Sequence, residues 1–117
     1  MKRRILIVDD NKGLGENLSD ILEFKSFNTK VVYDGYEAVE AVKNDEFDIA
    51  LLDVKMPGMD GVDTLKAIKK IAPKIAVIMI TAFADDILYK EELKNVNLRI
   101  IEKPIDVDKL LGAIEKI

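Results

Sequence analysis

The sequence predicts an α/β fold: one open, doubly wound sheet of five parallel strands with five helices on its two faces. Short continuous apolar runs alternate with amphipathic stretches along the chain, the pattern of β/α units whose parallel strands are buried on both sides. Four of the runs end in polar residues: Ile5-Leu6-Ile7-Val8 in Asp9-Asp10, Ile49-Ala50-Leu51-Leu52 in Asp53, Ile75 to Ile80 in Thr81, and Ile100-Ile101-Glu102 in Lys103-Pro104. A length of 117 residues with 49% apolar content and no linker-like stretch suits one domain, residues 1–117, burying roughly two thirds of its unfolded surface.

The first strand covers about residues 4–9, and the helix after it carries Leu14, Leu18, Ile21 and Leu22 on one face. Thr29 to Tyr33 alternates, as an edge strand does. Asp34-Gly35 turns into a second helix with Ala38, Val39, Ala41 and Val42 inward. After the strand ending at Asp53, Met56-Pro57-Gly58-Met59-Asp60-Gly61 is a turn-rich loop. Asp60 caps a helix carrying Val62, Leu65, Ile68 and Ile71, which Pro73 stops. The Thr81 strand leads to a fourth helix near residues 85–95, with a thin apolar face of Ile87, Leu88 and Leu93 amid Lys90, Glu91, Glu92 and Lys94. A last strand at about 98–102 precedes a final helix, capped by Asp106, with Val107, Leu110, Leu111, Ile114 and Ile117 inward. Right-handed crossovers put all the strands' carboxyl ends, and so the polar residues that end the apolar runs, along one edge, where ligands of such sheets sit.

Composition removes several function classes. The chain has no cysteine and no histidine, so thiolate chemistry, disulfides and the commonest general base are absent. A net charge of −4, from 22 acids against 18 bases, argues against sequence-independent nucleic-acid binding. Gly13 to Leu18 lacks the third glycine of a dinucleotide fingerprint, and Gly58-Met59-Asp60-Gly61 carries an acid where an RNA clamp needs none. The apolar run after Met1-Lys2-Arg3-Arg4 is too short for a signal peptide or membrane span, so a cytoplasmic protein is expected.

Asp9, Asp10 and Asp53 in one cleft repel one another, and at least one resists ionisation unless a cation neutralises them. Oxygen donors alone suit a hard divalent ion, Mg2+ before Ca2+, with Mn2+ as an alternative. Asp53 can also be the reacting group, because a carboxylate attacks a phosphoryl group to give an aspartyl phosphate. Magnesium on one phosphoryl oxygen, Lys103 on a second and the Thr81 hydroxyl on a third would supply the charge neutralisation such a transfer needs.

These motifs resemble those of the response-regulator receiver domains of two-component signalling, from Ile5 through the final helix: Ile-Leu-Ile-Val-Asp9-Asp10, Leu-Leu-Asp53-Val-Lys-Met-Pro57-Gly-Met-Asp-Gly61, Thr81-Ala82 and Lys103-Pro104. The resemblance implies a flavodoxin-like fold with strand order 2-1-3-4-5. It implies Asp53 as phosphoacceptor, with Asp9, Asp10, Asp53 and the backbone carbonyl of Lys55 holding magnesium. Thr81 is then the switch hydroxyl, Lys103 the phosphoryl-binding lysine, and the Lys103–Pro104 peptide cis. The implied donor is a phosphohistidine on a histidine kinase or phosphotransfer protein, with Leu14 near the usual kinase-contact surface. The fourth helix, last strand and last helix form the implied signalling surface, and phosphorylation-dependent dimerisation is a family habit. A stand-alone receiver and one cut from a longer regulator are both open, as are the output target and a monomeric or dimeric state.

The chain departs from the family pattern at Ile100, where an aromatic or histidine usually acts as a rotamer switch; it reads as a core isoleucine, leaving Phe83 or Tyr89 as substitutes. Lys55 and Phe83 occupy the family positions that tune hydrolysis, and their size predicts a long-lived phosphorylated state. Repulsion in the cleft predicts that Asp53→Asn or Asp10→Asn stabilises the metal-free protein. Two other functions compete. A magnesium-dependent aspartate-nucleophile phosphatase would carry a second aspartate where Lys55 stands. A phosphorylation-independent interaction module would have no use for the intact set Asp9, Asp10, Asp53, Thr81 and Lys103.

Overall fold

The computed structural model describes residues 3–56, 58–82 and 98–117. The apolar runs become strands β1 (Arg4–Val8), β2 (Asn28–Val32), β3 (Ile49–Asp53), β4 (Ala76–Thr81) and β5 (Leu98–Glu102). They form one sheet in the order β2-β1-β3-β4-β5, every neighbouring pair parallel. The described helices are α1 (Lys12–Phe24), α2 (Gly35–Asn44), α3 (Gly61–Ile71) and α4 (Val107–Glu115). The helix expected near residues 85–95, with Phe83 and Tyr89, and also Pro57, lie outside the described residues.

Alternation along the strands divides the core between the two faces of the sheet. Leu6, Val8, Ala50, Leu52, Val77 and Met79 meet Ala38, Ala41 and Val42 of α2 and Val62, Leu65 and Ile68 of α3. Ile5, Ile7, Ile49, Leu51, Ile78 and Ile80 meet Leu18 and Leu22 of α1 and Leu110 and Ile114 of α4. Every residue of β3 is buried, which is why its sequence is a continuous apolar run broken only at Asp53.

Side-chain oxygens start each described helix. Asn11 accepts from the Leu14 amide, Asp34 from Glu37, Asp60 from Asp63, and Asp106 from Asp108 and Lys109, satisfying donors that the first turn leaves unpaired. Two expectations need correction. The first strand ends at Val8, not Asp9, because Asp9 turns its side chain back to the Asn11 amide. Ile71, expected on the inward face of its helix, is 38% exposed; it is the last residue of α3, with no further turn to pack over it. Among the described residues, no helix is long and apolar enough to cross a membrane.

Candidate functional site

The strand register builds the site as a staircase. Val8 lies opposite Leu52 across β1 and β3, so the next residues, Asp9 and Asp53, leave the sheet side by side. Asp53 lies opposite Ile80, and Thr81 opposite Glu102, which brings Thr81 and Lys103 up on the other flank. The Lys103 amide donates to the Thr81 carbonyl at 2.8 Å, and the Lys103–Pro104 peptide is cis. One carboxylate oxygen from each of Asp9, Asp10 and Asp53 falls within 4.8 Å of the others. Asp9, Asp53 and Thr81 are buried, whereas Asp10 and Lys55 are exposed and Lys103 is half-buried.

Electrostatics follow from that packing. Lys103 Nζ donates to Asp53 Oδ1 at 3.2 Å, one ammonium against three carboxylates. Burial, above all, pushes the Asp9 carboxyl above its usual range, and the negative charges of Asp53 and Asp10 add to the rise; the Asn11 amide and Lys103 act against it. A buried acid held up by like charges is the state a divalent cation relieves. The donor set fits such an ion: three hard oxygen ligands with one side, at Asp10, open to solvent, as suits magnesium with its retained waters.

The loop after Asp53 is held by close packing. The Gly61 amide donates to the Val54 carbonyl at 2.8 Å. A Cβ on Gly61 would stand 2.6 Å from Val54 Cα and 2.7 Å from the Asp53 carbonyl oxygen, so only glycine lets α3 start against the acceptor strand. Gly58 takes φ +77, a conformation glycine adopts freely.

Sequence reasoning missed three supports of this edge. Thr64 is fully buried, its hydroxyl donating to the Asp60 carbonyl at 2.7 Å. Gly35 sits where a Cβ would run into Thr64 Oγ1, a tertiary approach with no local signal. Lys12 Nζ lies 5.3 Å from the centroid of the Tyr33 ring. Ile100, expected in the core, is half-buried and packs against the α2–α3 side of it. Leu14 is half-buried. Phe83 lies outside the described residues.

Residues 5–115 match the model of the response regulator receiver domain family. The chain is 34% identical over 116 residues to sporulation initiation phosphotransferase F of Bacillus subtilis, covering 99% of this chain and 94% of that protein. It is 38% identical over 112 residues to the transcriptional regulatory protein ZraR of Salmonella typhimurium, covering 96% of this chain but only 25% of that protein. A receiver domain protein from Methanospirillum hungatei, described as CheY-like, superposes with a TM-score of 0.90 at 29% identity, over 99% of this chain and 93% of that one. The chain belongs to the response regulator receiver domain family.

Proposed function

We propose that this receiver domain is a phosphorylation-dependent signalling switch in which Asp53 accepts a phosphoryl group from a phosphohistidine on a histidine kinase or phosphotransfer protein. The observation that carries this reading is the pairing of Asp53 Oδ1 with Lys103 Nζ at 3.2 Å, inside a cluster of three carboxylates whose mutual repulsion a cation would relieve. An Asp53 oxygen attacks phosphorus, the phosphorus–nitrogen bond of the donor breaks, and the imidazole leaves with its electron pair. Lys103 then exchanges its carboxylate partner for a phosphoryl oxygen, and the Thr81 hydroxyl donates to another. Asp9, Asp10, Asp53 and the Lys55 carbonyl would hold Mg2+ or Mn2+, which neutralises charge on the transferring group. A response regulator from Thermotoga maritima, 26% identical, is described in complex with Mg(2+)-BeF, which supports that ligand chemistry.

Hydrolysis of the aspartyl phosphate by water resets the switch; receiver domains are generally not true enzymes, and self-phosphorylation with slow self-dephosphorylation is the extent of catalysis here. Lys55 and Phe83 hinder the attacking water and lengthen the phosphorylated state. Output leaves through β5, α4 and the helix expected near 85–95, with Thr81 drawn inward and Ile100 in place of the usual ring. The protein works in the cytoplasm as a monomer or a phosphorylation-dependent dimer.

Incubation with magnesium and acetyl phosphate, followed by intact mass measurement, tests the acceptor. One phosphoryl adduct that needs magnesium and vanishes in Asp53→Ala is expected. No adduct from acetyl phosphate or from a phosphorylated kinase would refute the reading. The adduct should also outlive that of Lys55→Asn; an equal or shorter lifetime would remove Lys55 from the tuning role.

A further inference from the structure

At the sheet edge opposite Asp53, the amino ends of β4 and β5 border a cavity of about 410 Å³, within the size range of small-molecule sites. Its charged side chains are Lys69, Lys74, Arg99 and Lys116, with Pro73 and Ala76 among its apolar residues and the last residue, Ile117, at its rim. No Asp or Glu side chain lines it among the described residues, although acids outnumber bases by 22 to 18 in the chain. Cations brought together from α3, the turn before β4, β5 and the end of α4 repel one another, and chance spacing in an acidic protein does not favour such a set.

Lys69 is the informative member. Its side chain is half-buried, and its Nζ donates to the Ile75 carbonyl. Burial lowers its pKa, and no carboxylate among the described residues offsets that effect. A half-buried ammonium resting on a carbonyl dipole still has donors to offer an anion at its open side. Arg99 adds a planar fork of donors suited to phosphate or carboxylate oxygens.

We propose that this cavity binds a small polyanion, a compact molecule with two or more phosphate or carboxylate groups, through Lys69, Arg99 and Lys116, with its body against Pro73 and Ala76. The site does not depend on phosphoryl transfer at Asp53, which lies at the other end of the strands. The test is a backbone-amide chemical-shift titration of the protein in metal-free buffer, with pyrophosphate and separately with citrate. Saturable shifts at residues 74–77, 99 and 116 are expected, the same in wild type and Asp53→Ala. Lys69→Gln combined with Arg99→Gln should weaken binding about tenfold, and Lys69→Arg combined with Arg99→Lys should retain it. Saturation by pyrophosphate alone assigns a phosphate ligand, and by citrate alone a carboxylate ligand. Failure of both anions to saturate these shifts, or an unchanged dissociation constant in the charge-removing variant, overturns the proposal.

Discussion

Strand β1 meets charge at both of its ends and treats it in opposite ways. At its start, Arg4 pairs with Asp45 and lies 4.9 Å from the centroid of the Phe47 ring. The hydrogen bond from Arg4 is the main reason the Asp45 carboxyl is held down to about 2. Just past its other end, Asp9 is buried beside Asp10 and Asp53 and its carboxyl is raised. Opposite charges are matched in solvent at one end; at the other, like charges are gathered with two of the three buried. The same buried run of Ile5 to Val8 supports both arrangements. The unfavourable one is tolerated where the chemistry is, as expected when a site departs from the rules that stabilise the rest of a fold.

The largest effect should come from breaking the loop that holds the carboxyl edge. Gly61→Val forces a side chain against the backbone of Asp53 and Val54 and should cost about 3 kcal/mol in urea unfolding; a loss below about 1 kcal/mol would show that this loop yields. Next, Lys103→Ala leaves the buried Asp53 carboxylate without its partner. Lys103 is itself 31% exposed, so the cost in metal-free protein should be about 1–2 kcal/mol, less than for a fully buried pair, and the phosphoryl adduct should be largely lost.

The two ends should also differ in the sign of their pH dependence. The raised Asp9 carboxyl contributes stability that is complete below the unfolded value of 3.8 and is lost as pH rises through its folded value. Asp45 contributes stability present above 3.8 and lost as pH falls toward about 2. Thermal melts in chelator should therefore show Asp9→Asn removing a decline on the rising-pH side. Asp45→Asn should flatten the acid side by the smallest amount of this series, because its pair is exposed and screened. Equal slopes for both variants would erase the distinction between the ends.

Much of this edge was legible because parallel strands make it so. A strand buried on both faces must be apolar throughout, so Asp53 and Thr81 stand out as the residues where β3 and β4 stop. Asp60 and Asp106 were legible as caps because each immediately precedes an apolar-periodic stretch. Asn11 was not, since Lys12 and Gly13 follow it. Thr64 satisfies its hydroxyl on the carbonyl of the capping residue Asp60 and so leaves no trace of its burial. The approach of Gly35 to Thr64 and Met59 joins residues far apart in the chain, which periodicity does not report. Ile71 misled because periodicity continues to the last residue of a helix, whether or not that residue is covered.

The sequence alone predicts that Asp53→Asn and Asp10→Asn both stabilise the metal-free protein. The geometry sharpens this: Asp53→Asn also gives up the Lys103 pair, whereas Asp10 is exposed at the cluster's open side, so Asp10→Asn isolates the repulsion. The decisive measurement is the melting temperature of wild type and Asp10→Asn, each in chelator and in saturating magnesium. The variant should melt higher in chelator, by the equivalent of about 0.5–1 kcal/mol, and lower than wild type in magnesium. A wild type that is the more stable in chelator, or magnesium raising both proteins equally, would contradict a carboxyl edge built around a cation.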